Sequence, residues 1–283
     1  MTVRGRTAQH PPVDAAPIAI RRGLERHEGR VAGASGRRLT DLGDAFLVHD
    51  ERVSGAWHTW LGDVRWPIDG EAFERRLLDG LTLFATIDRR PSISVQPGAS
   101  TPPDLTSRLE GNGFTASGTA YRMRLRSVAR ASIAAAARDR TGLAATVLSA
   151  PPQPGDPVVT EAARVMIDAF GMRRASLAAE LGSVLTLPGA TLVVVRAAGE
   201  AVGAGRSFAL DGMAYLSAIG VSPEWQSRGI GRFVTAALAS AAFEAGSRTV
   251  HLAVAVDNIA AWRAYAALGF RAVGPPAARL VLR

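Results

Sequence analysis

The sequence predicts a mixed α/β fold: a mostly antiparallel central sheet flanked by helices, with two such domains in tandem. Three observations lead there. The 283 residues are 47% hydrophobic, enough to bury a full core and about two domains long at roughly 150 residues each. Three strand candidates, Thr191 to Arg196, Ala201 to Phe208 and Met213 to Val221, are joined by the short turns Ala198-Gly199 and Asp211-Gly212, as in an antiparallel meander. Beyond them the pattern runs helix, strand, helix, an order that lays helices over a mixed sheet.

Taken in order, residues 1–35 are expected to be a mobile tail, because Pro11, Pro12 and Asp14 break any regular pattern. Within it Ile18 to Val31 holds enough apolar and charged residues for a short exposed helix. Residues 36–127 form the first α/β unit. Ala45 to His49 is a strand, Glu71 to Leu81 an amphipathic helix, and Ser92 to Gln96 a strand. Pro102, Pro103 and Asp104 start a helix that Gly111 and Gly113 stop, and Tyr121 to Leu125 alternates as a strand. Residues 128–139 are expected to be a connecting helix or linker.

The second unit spans 140–283. Leu143 to Leu148 is a strand, Val158 to Phe170 and Arg174 to Leu185 are helices, and the meander follows. From Gly229 a helix is marked by Ile230, Phe233, Val234, Ala237, Leu238, Ala241 and Ala242, which share one stripe. Gly246 ends it, Thr249 to Val256 is a strand, Asn258 caps a helix running to Leu268, and Gly269 stops that helix.

Composition excludes several chemistries. With no cysteine, disulfides, zinc-thiolate sites, iron–sulfur clusters and thiol nucleophiles are ruled out. The net charge is +8, but all 33 basic residues are arginines spread along the chain and aromatic residues make up 6%, which argues against nucleic acid as a partner. The longest uncharged stretches, Thr141 to Gly155 and Leu181 to Val195, fall short of the roughly 18 residues of a membrane span, so no membrane contact is expected. No continuous apolar segment of a secretory signal precedes Gly23, and a cytoplasmic location is expected. The histidines at 10, 27, 49, 58 and 251 lack metal-ligand spacing, and no metal is expected. A G-x-S-x-G elbow is absent.

The informative stretch is Tyr215 to Gly231, YLSAIGVSPEWQSRGIG, where a strand meets Pro223 and enters a helix at paired glycines. Such a turn can hold a phosphate, because the first helical N–H groups point outward at the positive end of the dipole. Gln226 and Arg228 could add donors. No Lys-Ser/Thr follows the second glycine, and Val234 stands where a dinucleotide-binding motif has its third glycine. Alternatively the glycines merely relieve crowding where strand becomes helix. Taken alone, the turn is compatible with both.

A second segment carries Asn258, Ala261, Tyr265 and Gly269-Phe270 at fixed intervals. With Gln226, Gly229 and Gly231, and with Val221 and Pro223 ahead of them, it resembles the GCN5-related N-acetyltransferase family over residues 140–283. The resemblance implies transfer of an acetyl group from acetyl-CoA to an amine-bearing acceptor by direct attack. It implies two neighbouring strands that splay around the pantetheine arm, with Ile219, Gly220 and Val221 pairing to that arm and Gly220 at a strand irregularity. It also implies a pyrophosphate on the N–H groups of Ser227, Arg228, Gly229, Ile230, Gly231 and Arg232. Tyr265 would protonate the leaving thiolate, and Asn258 would both cap its helix and touch the arm. Asp257, His251 and Asp211 are possible bases by position, none of them chosen, and a water relay would serve. An alternative is a non-catalytic acyl-CoA-binding or regulatory protein.

The first unit resembles a degenerate copy of the same fold. Ser92 to Gln96, Asp104 to Gly111 and Gly113-Phe114 echo the closing elements of the second unit, but neither the glycine turn nor the tyrosine has a counterpart. This copy is expected to wall the acceptor cleft without binding acetyl-CoA.

Overall fold

Short runs of β-branched and small residues, bounded by glycine turns and separated by helical stripes, fold here into one continuous sheet. A computed structural model describes residues 11, 13–53, 55, 58–138, 142–153, 155–171 and 176–283. The first elements are β1 (Val13–Asp14), α1 (Ile18–Ala34), β2 (Arg38–Asp41), β3 (Phe46–His49), β4 (Trp60–Gly62), α2 (Gly70–Thr86), β5 (Ser92–Val95), α3 (Leu105–Gly111) and β6 (Phe114–Arg126). Then come α4 (Arg130–Arg138), β7 (Leu143–Leu148), α5 (Pro157–Phe170), α6 (Leu177–Leu185), β8 (Ala190–Ala197), β9 (Glu200–Leu210) and β10 (Met213–Val221). The chain closes with α7 (Ile230–Glu244), β11 (Thr249–Ala255), α8 (Ile259–Ala266), β12 (Arg271–Val273) and β13 (Ala277–Leu282).

The strand order is β2-β3-β4-β5-β13-β6-β11-β10-β9-β8-β7, with β12 beside β6 and β1 beside β12. Neighbours are antiparallel except β4 with β5, β10 with β11 and β1 with β12. Mixed, mostly antiparallel and flanked by helices, the sheet has the predicted class. The two halves share an order of elements: an antiparallel meander, a helix crossing to a parallel strand, a further helix and closing strands. In the first half α2 links β4 to β5, and in the second α7 links β10 to β11.

The closing strands are exchanged. β6 ends the first half, yet it pairs with β11 from Arg126 opposite Thr249 to Ala120 opposite Ala255. β13 ends the second half, yet it pairs with β5 and lies between β5 and β6. Its Leu280 is fully buried in the first half's core with Phe73, Leu109 and Phe114. The expected units 36–127 and 140–283 are therefore consecutive in sequence but interleaved in space.

One expectation about the connecting segments needs correction. Residues 1–10 and 12 of the expected tail lie outside the described residues, as do 139–141 near the expected linker and Arg174 at a helix start. The remainder of the tail holds α1, expected as short and exposed, but Leu24, Glu25, His27 and Val31 are buried. Its buried Glu25 and His27 are compensated, which lets a charged helix enter the core. Glu25 accepts from Ser94 Oγ at 2.6 Å and from Arg122 Nη2 at 3.0 Å. Of the two readings of 128–139, the connecting helix is the one present: in α4, Ile133 is fully buried with α7, and Arg130 donates to the Phe243 carbonyl at 2.7 Å.

α1 is docked on the second half by a histidine pair. His27 Nε2 lies 3.0 Å from the Leu210 carbonyl, and its Nδ1 lies 2.7 Å from His251 Nε2. A carbonyl only accepts, so His27 carries its proton on Nε2 and His251 Nε2–H donates to His27 Nδ1. Both rings are fully buried, and burial pulls both below the ordinary histidine value of 6.5, His27 and Arg122 adding to the effect on His251. Unfolded histidines gain protons below about 6.5 that the folded pair refuses, so stability is complete above that pH and falls beneath it. Urea denaturation at about pH 7.5 and about pH 5.5 is expected to differ by at least about 1 kcal/mol. The difference should shrink in a His27→Gln, His251→Gln double variant, and equal stability of the native chain at both pH values would show that the pair is not neutral.

Candidate functional site

The site is built where two parallel strands stop pairing. β10 and β11 are joined from Met213 opposite Thr249 to Leu216 opposite Leu252. Past that point β10 continues on β9 as far as Val221, and β11 continues on β6 as far as Ala255. The pairing of β10 with β9 shifts register between Ser217 and Gly220. Ala218 sits there at φ 52°, a left-handed conformation that turns a non-glycine residue out of the pleat. The irregularity expected at Gly220 thus begins at Ala218. Gly220 itself allows close packing. An added Cβ would stand 2.8 Å from the Ala169 Cβ, so glycine lets the end of α5 close over the strand.

Beyond Val221 a single 3-10 turn, Pro223–Trp225, leads to Gln226 in extended backbone. Ser227 at φ 61° and Gly229 at φ 76° are both left-handed. Such turns aim successive N–H groups into one concavity. Gly229 is the N-cap of α7 and no side chain caps the helix. The N–H groups of Ile230, Gly231 and Arg232 therefore receive no acceptor from the helix or from a cap, and they lie at the positive end of a 15-residue dipole.

This turn, the free edge of β10 and the start of α8 enclose a cavity of about 390 Å³. Ile219, Gly220, Val221, Gln226, Ser227, Gly229, Ile230, Gly231, Arg232, Asn258 and Tyr265 all line it. Arg228 does not; its guanidinium lies over the Trp225 ring, 4.7 Å from the centroid. Gln226 Nε2 donates to the Val221 carbonyl at 3.4 Å, bracing the turn against the strand end. Asn258 Oδ1 accepts from Ala261 N at 3.1 Å as the expected cap. Asn258, Ala261 and Tyr265 share a helix face at i, i+3 and i+7. Tyr265 is 8% exposed, and burial pushes its phenol up to about 12. Ala169 and Phe170 of α5 also line the cavity and were not anticipated.

A second cavity, about 270 Å³, opens beside the same stretch of β10. It is lined by Tyr215 and Ser217 of β10, Ala253 of β11, Arg206 of β9, Glu28 of α1, Arg37, Trp60 of β4 and Arg279 of β13. Arg122 Nε donates to Glu28 Oε2 at 3.2 Å, and the Tyr215 hydroxyl donates to Glu28 Oε1 at 3.5 Å. Burial and the Glu28 charge raise the Tyr215 phenol above its ordinary value. No local motif announces these residues, since they come together from six elements and a loop.

None of the three positional base candidates lines either cavity. His251 is held by His27, Asp211 occupies the turn at the other end of β10 in an ion pair with Arg30, and Asp257 is exposed. Among the described residues no cluster of three or more His, Asp or Glu side chains could hold a metal ion. No described helix is long and apolar enough to cross a membrane.

Residues 161–270 match the acetyltransferase (GNAT) family model, a family of acyl transfer from an acyl-CoA. No curated protein matches the chain in sequence. Among solved structures, a GCN5-related N-acetyltransferase from Kribbella flavida superposes with a TM-score of 0.66 at 20% identity, over 89% of this chain and 94% of that one. A tandem GNAT protein from the clavulanic acid biosynthesis pathway gives 0.58 at 15% identity, over 84% and 77%. A GCN5-related N-acetyltransferase from Sphaerobacter thermophilus gives 0.56 at 16% identity, over 94% and 92%. At these identities the likeness is one of fold.

The two site glycines should respond differently to substitution. At Gly231 an added Cβ would lie 3.6 Å from Val221 Cγ2, an ordinary contact, whereas at Gly220 it collides with Ala169 and Phe170. Gly231→Ala is expected to keep or raise stability by up to about 1 kcal/mol. Gly220→Ala is expected to lose about 1–3 kcal/mol. Thermal denaturation of both variants checks this, and equal losses would mean that Gly231 is also packed against the protein.

Proposed function

We propose that this chain, of which residues 161–270 are an acetyltransferase (GNAT) family domain, moves an acetyl group from acetyl-CoA to a primary amine by direct attack. The observation that carries this reading is the pairing of uncapped first-turn N–H groups with a free strand edge in one cavity. A diphosphate fits the first and an amide-bearing arm fits the second. We take residues 36–127 as a degenerate copy that binds no coenzyme; the shared order of meander, crossover helix and parallel strand supports this.

When bound, acetyl-CoA supplies a thioester carbonyl open to an amine. The N–H groups from Ser227 to Arg232 hold the diphosphate, and Asn258 steadies the arm from α8. A backbone N–H at Ile219 or Val221, on the edge that β11 no longer covers, donates to the carbonyl oxygen as negative charge develops there. One bond forms, nitrogen to carbon, and one breaks, carbon to sulfur. The ammonium of the acceptor gives up one proton before attack. Tyr265 gives its phenolic proton to the sulfur and regains one from the attacking nitrogen, so the products are an amide, the free thiol and one released proton. An ordinary phenol near 10 would exchange easily with a thiol near 8.5. At about 12, Tyr265 parts with its proton only as charge builds on sulfur, and it stays protonated through neutral pH.

Titration calorimetry is expected to show acetyl-CoA binding to the native chain and binding weaker by about tenfold or more in Gly231→Ala, whose added Cβ holds the diphosphate off the backbone N–H groups. Tyr265→Phe should keep that affinity and lose about a hundredfold in kcat, followed by thiol release. No binding at millimolar acetyl-CoA would overturn the reading. Binding without thiol release from any amine would leave a non-catalytic acyl-CoA-binding protein in its place.

A further inference from the structure

We infer that the second cavity takes the acceptor, and that the acceptor is a compact primary amine carrying an oxyanion, either a carboxylate or a phosphate ester. This rests on the transferase reading above. The two cavities reach the same strand: Ser217 lines one and Ile219 the other, no more than about 7 Å apart along β10. An amine held beside Ser217 therefore meets whatever lies against Ile219 through the gap between β10 and β11.

The chemistry of the lining selects the rest. Guanidinium groups on Arg206 and Arg279 line the cavity with one carboxylate, Glu28, and a third, on Arg37, is paired with the buried Asp50 at 3.4 Å. Trp60 is flanked by Arg37 at 6.0 Å and by Arg279 at 4.7 Å. A guanidinium carries its N–H donors in one plane, the geometry that grips an oxyanion with two parallel hydrogen bonds. Arg206 is fixed by donating Nε to Ser217 Oγ at 3.3 Å, at the mouth of the gap. Arg279 is 7% exposed and burial lowers it to about 10 against the opposing charges of Glu28 and Glu25. Glu28, steadied by Arg122 and Tyr215, gives the same cavity a carboxylate to hold the ammonium end. At about 270 Å³ the cavity lies below the roughly 300–1,000 Å³ of drug-sized sites, which suits an amino-acid-sized molecule.

Matched amines test this: glycine against glycinamide, glutamate against its diamide, and phosphoethanolamine against ethanolamine. With the native chain and acetyl-CoA, the anionic member of at least one pair is expected to be favoured by about tenfold or more in kcat/KM. Titration calorimetry without coenzyme should show the N-acetylated anionic amine binding and its neutral amide not. Arg206→Gln is expected to erase the preference in both measurements, and Arg206→Lys, which keeps the charge, to recover part of it. Equal rates within every pair, or no transfer to any anionic amine by a chain that binds acetyl-CoA, would overturn the inference. If the native chain fails to bind acetyl-CoA, the transferase reading falls instead, while the calorimetry on the acetylated amines still decides whether the cavity selects an oxyanion.

Discussion

Everything at the site depends on the parting of β10 from β11. Four residue pairs hold these parallel strands together before they separate. Each ladder hydrogen bond given up is worth about 0.5–1.5 kcal/mol net, so the gap can persist only where each strand is secured on its other side. β9 secures β10 through seven paired positions, and β6 secures β11 through seven. The left-handed Ala218 then directs β10 away from its former partner. A strand edge, a helix N-terminus and two cavities follow from this one departure, and none of them requires a loop to be mobile.

The strand that secures β11 belongs to the first half of the chain, which gives the exchange of closing strands a mechanical meaning. Without β6 the far wall of the gap would lose its ladder. Without β13 the first half would lose Leu280 from its core and Arg279 from the second cavity. α1 then spans both halves with buried charge. Glu25 and Arg122 are almost fully buried, and Asp63 accepts from Arg22 at 2.6 Å and from Arg26. Removing one member of such a pair leaves the other charge uncompensated, at a cost of about 3–5 kcal/mol. The first half is thus a structural condition for the site as well as a wall of its second cavity.

How far this was legible in the amino-acid sequence follows from where the information lies. The periodicity of β7, β10 and α7 is local, and the strands at Leu143–Leu148 and Met213–Val221 lie where it places them. Asn258 as a cap and the helix start at Gly229 are equally local, because cap and turn chemistry is written within four residues. The buried face of α1 was hidden, since Glu25 and His27 look like surface residues until Arg122 and His251 arrive from far along the chain. The short β4 and the exchange of β6 and β13 were hidden for a related reason: strand partners are chosen by the whole sheet, and a three-residue strand such as Trp60–Gly62 carries no period. The second cavity, assembled from single residues of many elements, had no local trace.

The glycines around the turn separate the two explanations that their sequence left open. Glycine within a helix costs about 0.5–1 kcal/mol relative to alanine, so a helical glycine needs a reason. Gly220 in its strand has one inside the protein, the close approach of Ala169 and Phe170. Gly231, in the first turn of α7, has none there, since a Cβ would meet Val221 at an ordinary contact distance. The crowding explanation therefore accounts for Gly220 and fails for Gly231. A residue whose bareness the protein does not need is best explained by something outside the polypeptide that comes close to its backbone. Gly231 lines the same cavity as Ile230 and Arg232 at the uncapped start of α7, and an anionic group is the partner that a helix N-terminus favours.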